Sequence, residues 1–196
     1  MSNKKFIESI PVGPLAIVAL PGSKALGDKV DAYISGWRSE RLEAKESPIT
    51  FKGYVKDSYL LNVSVPRFGT GEAKCALKDT VRGCDLYIID DVTNHSIEYT
   101  VCGQKNHMSP DDHYADIKRV IAAASGKARK ITVIMPFLYE SRQHRRSSRE
   151  SMDCAVMLQE LVNMGVDNIL TFDAHDPRVL VDLNQLCQHI SSLKTF

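Results

Sequence analysis

Apolar and polar positions alternate between strand-sized and helix-sized segments along most of the chain. The apolar runs that predict buried strands cover residues 15–20, 86–89, 131–135 and 168–172. Residues 109–126 and 152–164 separate the last three runs and carry apolar side chains at helical spacing. This order predicts right-handed parallel crossovers. We therefore expect an α/β domain whose parallel sheet is covered by helices on both faces.

Two helix starts are marked by capping residues. Ser109 precedes Pro110 and a first turn that contains two aspartates, which is a strong signal for the N-terminus of a helix. Ser23 follows a Pro-Gly turn and predicts the cap of an earlier helix that runs to about Gly36. The polar residues 38–48 are expected to form a connection.

The segment between the first two predicted strands of the sheet indicates a small β-hairpin region. Residues 61–65 and 73–77 are β-rich and flank a glycine-containing loop at 66–72. Residues 92–108, which follow a later strand, are polar and predict a long loop.

The composition argues against a nucleic-acid-binding or membrane-spanning protein. The 196 residues fit one domain with a sizeable core, and 25 basic against 24 acidic residues argue against bulk binding to nucleic acid. The apolar runs are too short to span a membrane. Five scattered cysteines without a paired motif predict a protein of the reducing cytoplasm.

A basic cluster follows the predicted strand at 131–135. It contains Arg142, Arg145, Arg146 and Arg149. Guanidinium groups bind phosphate oxygens in pairs and stay charged at physiological pH, so the cluster indicates a polyphosphate site. A solvated basic loop is the alternative explanation.

Acidic residues follow two other predicted strands. Asp173 and His175 lie two residues apart and could converge on a magnesium ion, although a purely structural pair would give the same pattern. Asp90 and Asp91 are interpreted as a strand end in contact with solvent. Paired acids after a strand resemble the start of a phosphoribosyl-pyrophosphate (PRPP) loop, but the Thr-Gly turn of such a loop does not follow them here.

Several motifs together resemble the ribose-phosphate pyrophosphokinase (PRPP synthetase) family in order and spacing. Residues 67–72 (RFGTGE) resemble the Arg-Phe-Ser-Asp-Gly-Glu loop of that family, and residues 81–89 (VRGCDLYII) resemble its Val-Arg-Gly-x-Asp strand. Residues 134–143 and 170–175 resemble two further motifs. The resemblance covers residues 21–178 and implies a phosphoribosyltransferase-like ATP-binding domain over residues 1–178.

The family transfers diphosphate from Mg-ATP to ribose 5-phosphate and forms PRPP and AMP for nucleotide biosynthesis. By resemblance, Phe68 would stack on adenine and Glu72 would contact its amino group. The family's adenine loop comes from a neighbouring subunit, so the resemblance also implies a homo-oligomer.

The resemblance assigns the remaining ligand contacts to the strand ends. The ATP phosphates would contact Arg142 and Gln143, with Arg145 and Arg146 as weaker candidates. Mg²⁺ would bind at His175, with Asp173 beside it.

The sequence departs from the family pattern at Thr70, His144 and Ala155, where the family has an acid, an acid and a lysine. It also lacks the family's ribose 5-phosphate loop and its catalytic lysine and arginine, so the second domain is expected to be absent and this chain to carry no catalytic residue. Residues 179–196 instead carry an apolar stripe that predicts a helical tail.

Three functions therefore remain open. The first is the ATP-binding half of a ribose-phosphate diphosphokinase, inactive alone. The second is a non-catalytic regulatory subunit that joins oligomers of the family. The third is a phosphoribosyltransferase-like protein, which the residues after Asp91 disfavour.

Overall fold

The computed structural model describes residues 11–44, 53–143, 148–173 and 192–195. Its strands are β1 (Leu15–Ala19), β2 (Val63–Ser64), β3 (Ala76–Leu77), β4 (Asp85–Ile89), β5 (Glu98–Val101), β6 (Gln104–His107), β7 (Lys130–Ile134), β8 (Asn168–Thr171) and β9 (Ser192–Thr195). Its helices are α1 (Lys24–Glu43), α2 (Pro110–Ala124) and α3 (Asp153–Asn163). In these described ranges, every helix is too short or too polar to cross a membrane.

The central sheet is entirely parallel, in the order β1-β4-β7-β8-β9. Its register aligns Val18, Ile88, Val133 and Ile169 in one row across four strands. All four side chains are fully buried. The row is the centre of the core, because parallel sheets are stable when both faces are covered.

Helices cover both faces of the sheet. The larger core lies between the sheet and the pair α2 and α3, and its helical side chains include Ile117, Val120 and Leu158. A smaller core lies under α1, which packs Val30 and Ile34 near the opposite face. The predicted α/β architecture is confirmed.

The small β-hairpin predicted around residues 66–72 is confirmed, since β2 and β3 pair antiparallel. The long loop predicted at 92–108 is wrong, because β5 and β6 form a second antiparallel hairpin within it. Its two turn residues, Cys102 and Gly103, have φ angles of 49° and 82°. Positive φ at both positions matches the twist of the flanking strands, as in two-residue hairpin turns.

The start of α1 agrees with the prediction, since Ser23 occupies the N-cap position, but its end does not, and the connection predicted at 38–48 is helical as far as Glu43. Ser23 is buried and its side chain makes no capping hydrogen bond, and the helix continues past Gly36 to Glu43. Residues 37–43 contain neither proline nor glycine, and several of them favour helix, so nothing in this segment stops the last turns.

The helical tail predicted over residues 179–196 is wrong at its C-terminal end. Ser192–Thr195 is a strand that pairs parallel with β8, and Ile169 is in register with Leu193. The backbone of β8 offers unpaired amides and carbonyls at that edge, and pairing satisfies them. Residues 179–191 lie outside the described residues.

We expect the N-cap of α2 to contribute measurably to stability. Ser109 Oγ accepts from the Asp112 amide at 3.1 Å, and Asp112 Oδ2 accepts from the Ser109 amide at 2.9 Å. Ser109→Ala should lower the free energy of unfolding by about 1 kcal/mol, measured by urea denaturation. Ser109→Thr keeps a capping oxygen and should lose less. An equal loss in both variants would contradict the capping explanation.

Candidate functional site

A cleft of about 440 Å³ opens at the carboxyl edge of the sheet. Its lining residues are Val92, Thr93 and His95 after β4, Phe137, Tyr139, Glu140, Ser141 and Arg142 after β7, and Pro110 at the start of α2. Loops that follow parallel strands meet at this edge, which is where open α/β sheets bind ligands.

The turn after β7 presents Arg142 to the cleft. Glu140 has a φ of 56°, a left-handed conformation that few residues with a side chain adopt. Hydrogen bonds from Ser141 N to Leu138 O (3.2 Å) and from Gln143 N to Glu140 O (2.9 Å) hold the turn. The exposed Arg142 guanidinium lies 5.7 Å from the centroid of the Phe137 ring. The predicted phosphate-binding arginine therefore lines the cleft.

Gln143 has a different environment. Its side-chain amide donates to Ser151 O at 2.8 Å, and its carbonyl accepts from Cys154 N at 3.3 Å. These bonds join the turn to the start of α3. The predicted contact of Gln143 with phosphate stays a prediction, and Arg145 and Arg146 lie outside the described residues.

Asp173, which follows β8, is paired with Phe137, one of the cleft-lining residues after β7. It forms a parallel bridge with Phe137, in which Leu138 N donates to Asp173 O at 3.1 Å and Asp173 N donates to Pro136 O at 3.0 Å. Residues paired across neighbouring strands project to the same face of a sheet. The exposed Asp173 side chain thus projects to the same side as Phe137, whose ring contacts Arg142.

The donor chemistry at Asp173 suits magnesium. Mg²⁺ prefers carboxylate oxygens, and it is held by one or two protein ligands together with phosphate oxygens. The described part of the chain contains no group of three or more His, Cys, Asp or Glu side chains that could hold a metal ion by itself. His175, the other predicted ligand, lies outside the described residues.

Phe68 and Glu72 lie on the loop between β2 and β3, away from the cleft lining. Phe68 is 50% exposed, and its amide donates to Glu72 O at 2.6 Å. Thr70 Oγ1 donates to Glu72 Oε2 at 2.9 Å, so the residue that replaces the family's acid orients the glutamate. The contacts found among the described residues do not connect this loop with residues 137–143.

Asp90 is not the solvent-exposed strand end that the sequence predicts. It is fully buried, and its Oδ2 lies 3.0 Å from Nδ1 of the buried His113 on α2. His113 Nε2 is 2.8 Å from Asn94 O and must donate, because a carbonyl only accepts. Gly22 lies over this pair, where a Cβ would come within 2.6 Å of Asp90 Oδ1.

Burial and mutual contact shift the pKa values of both members of this pair. Burial raises the pKa of Asp90. Burial alone would lower the pKa of His113, but its hydrogen bond with Asp90 and the charge there raise it overall. The bond from His113 to Asn94 also holds the loop after β4, whose residues 92, 93 and 95 line the cleft. His113 lies four residues before Ile117 of the predicted apolar stripe, and that helical spacing could have indicated its burial.

The wall of the cleft formed by Tyr139 is also attached to α2. Tyr139 Oη donates to Asp111 Oδ1 at 2.5 Å, and its ring stacks on Tyr114 with centroids 4.6 Å apart. Burial and the bond to Asp111 raise the pKa of Tyr139, so the hydroxyl remains a donor.

Comparison with known proteins decides the family. A family model described as the N-terminal domain of ribose phosphate pyrophosphokinase matches residues 15–165. The chain belongs to this family. Curated ribose-phosphate pyrophosphokinases resemble it at 28% identity over 126 residues (Parasynechococcus marenigrum), 32% over 120 residues (Haemophilus ducreyi) and 25% over 171 residues (Prochlorococcus marinus).

These ribose-phosphate pyrophosphokinases are longer than the chain. The three alignments cover 63%, 60% and 85% of this chain but 34%, 34% and 48% of the relatives. The crystal structure of phosphoribosylpyrophosphate synthetase from Mycobacterium smegmatis matches with a TM-score of 0.61 at 17% identity, covering 92% of this chain and 47% of that one. The family resemblance found in the sequence motifs is confirmed, and the fold agrees with it.

The buried pair predicts a specific pH dependence of stability. His113→Gln should lower the free energy of unfolding by about 2–3 kcal/mol near pH 6, because it breaks a buried pair but keeps an amide donor. The pKa of His113 in the folded protein lies above its ordinary value of 6.5. The loss of stability in the variant should therefore be complete below about pH 6.5 and shrink as the pH rises through the folded pKa.

Urea unfolding between about pH 6 and pH 9 measures the difference. His107→Gln replaces an exposed histidine and serves as the matched control, with a profile expected to follow the unsubstituted protein. A pH-independent difference for His113→Gln would show that the charge on its ring contributes nothing.

Proposed function

We propose that this chain is the nucleotide-binding half of a ribose-phosphate diphosphokinase and that its cleft binds the phosphates of Mg-ATP. The observation that carries the proposal is the common position of Arg142 and Asp173 at the carboxyl edge of the sheet. A guanidinium group and a carboxylate on one side of the sheet supply the two kinds of contact that a magnesium triphosphate requires. Membership of the family supports this assignment.

Charge in the cleft explains why the triphosphate would bind as its magnesium complex. Glu140 also lines the cleft, and burial together with the negative charges of Asp153 and Asp111 raises its pKa. Arg142 would bind phosphate oxygens, whereas Asp173, with His175, would hold the ion. Bound Mg²⁺ would neutralise charge on the diphosphoryl group during transfer.

Adenine recognition is assigned to Phe68 and Glu72 of a neighbouring subunit in a homo-oligomer. The half-exposed Phe68 ring is available to stack on a base, and the Glu72 carboxylate can accept from the amino group of adenine. The bond from Thr70 occupies Oε2 of Glu72, which leaves Oε1 for the base.

Transfer itself is assigned to the assembled enzyme rather than to this chain alone. Ribose 5-phosphate would bind to groups that the family resemblance does not find in this sequence. Such an enzyme would make PRPP for nucleotide biosynthesis in the cytoplasm. A coupled assay of AMP release from Mg-ATP and ribose 5-phosphate should therefore detect no turnover by the isolated chain, and robust turnover would overturn this division.

We expect Arg142→Ala to weaken Mg-ATP binding by more than about 1.5 kcal/mol, because charged hydrogen bonds to phosphate are lost. Isothermal titration calorimetry measures the change. Arg129→Ala is the matched control, because Arg129 is also exposed but directly precedes β7, at the opposite edge of the sheet. It should leave the affinity unchanged.

Two results would count against the proposed site. Equal losses in the Arg142 and Arg129 variants would indicate a general effect of net charge. Absence of Mg-ATP binding by the unsubstituted chain would favour the alternative of a non-catalytic subunit.

A further inference from the structure

The β5–β6 hairpin contacts the loop that carries Phe68 and Glu72. At the tip of the loop, Cys102 N donates to Gly69 O at 2.9 Å. Gly71 has a φ of 94°, and a Cβ at this position would lie 3.0 Å from Val101 Cγ2. The absence of a side chain at Gly71 therefore lets the hairpin approach the loop closely.

A second set of contacts fixes the base of the loop. The Arg67 guanidinium lies 4.8 Å from the centroid of the Tyr99 ring on β5. The same guanidinium donates to Asp116 Oδ2 on α2 at 2.8 Å, and both side chains are nearly buried. Tyr99 Oη donates to Asp112 Oδ2 at 3.1 Å. Arg67 is thus enclosed by the hairpin and α2.

The strands that flank the loop are too short to hold it alone. β2 and β3 contain two residues each, and isolated two-stranded hairpins are marginal in water even when longer. Phe68, Thr70 and Glu72 are exposed, so they gain little from burial. Hydrogen bonds within the loop, such as Phe68 N to Glu72 O, close its turn, and its base and the hairpin contacts fix its position on the domain.

We propose that the β5–β6 hairpin positions the Phe68–Glu72 loop and thereby determines the preference for adenine over guanine nucleotides. This inference rests on the adenine-reading role proposed above. A loop that is already ordered loses less conformational entropy when a base binds. Only a fixed Glu72 carboxylate can discriminate an amino group from the carbonyl at the same position of the other purine.

The hairpin can be deleted without opening the chain. Met108 N donates to Ile97 O at 2.8 Å, so the residues that flank Glu98–His107 are already paired. Replacing the ten residues from Glu98 to His107 with Asn-Gly should leave a two-residue turn between Ile97 and Met108, which are already close enough to pair. Tyr99→Ala is the second variant. Tyr99→Phe should behave nearly like the unsubstituted protein, because its ring still packs on Arg67. Lys105→Ala removes an exposed contact within the hairpin and is the matched control.

The first measurement needs no nucleotide. Hydrogen exchange of the Phe68 and Gly71 amides should accelerate by about tenfold or more in the deletion and in Tyr99→Ala, because the bonds holding the loop are lost. Amides of α2 should keep their protection. Unchanged exchange at residues 68–71 would overturn the positioning role, whatever the chain binds.

The second measurement compares Mg-ATP with Mg-GTP by calorimetry, with sedimentation to verify an unchanged oligomer. The ratio of the two affinities should fall by about tenfold in both variants. Affinity for Mg-tripolyphosphate should stay constant in Tyr99→Ala, which keeps the bond between His107 and the cleft-lining His95. A loosened loop with an unchanged ratio would overturn the specificity role. Absence of ATP binding by the unsubstituted chain would refute the proposed function and the specificity role, but exchange would still decide whether the hairpin holds the loop.

Discussion

The first two turns of α2 contact the turn after β7, the loop after β4, the β5–β6 hairpin and the Phe68–Glu72 loop. Asp111 accepts from Tyr139 of the turn after β7, and His113 donates to Asn94 of the loop after β4. Asp112 and Asp116 accept from Tyr99 and Arg67, which join the helix to the hairpin and to the Phe68–Glu72 loop. Each of these loops also has hydrogen bonds of its own, but their positions relative to one another depend on this helix terminus.

Charge balance makes this arrangement stable. Three aspartates and a histidine in one helix start would repel or be poorly solvated if they were buried without partners. Arg67 and Arg119 offset Asp116, and His113 offsets Asp90. The contact between Arg67 and Asp116 therefore anchors the Phe68–Glu72 loop and also balances the charge of a nearly buried carboxylate.

The sequence predicts those parts of the structure that depend on residues close together in the chain. Strand runs, the Ser109 cap and Arg142 after β7 follow from apolar periodicity, capping chemistry and the geometry of parallel sheets. The sequence alone predicts Asp90 in solvent because its partner His113 is 23 residues away, and no local pattern indicates such a pairing. The β5–β6 hairpin was missed because its strands are mostly polar and exposed, and its turn has cysteine before Gly103 instead of the usual asparagine or aspartate.

Under the proposed function, affinity and selectivity arise from different elements. Arg142 and a magnesium ion attract any nucleoside triphosphate, since neither contacts the base. Discrimination among bases must come from directed groups such as Glu72, whose orientation depends on Thr70 and on contacts made by β5. Both elements are attached to α2, so a change in that helix would disturb both properties. A change at Tyr99 would reach the base-reading loop through Arg67, whereas the hairpin's bond to the cleft lining is made by a different residue, His107, whose Nδ1 lies 2.8 Å from His95 O.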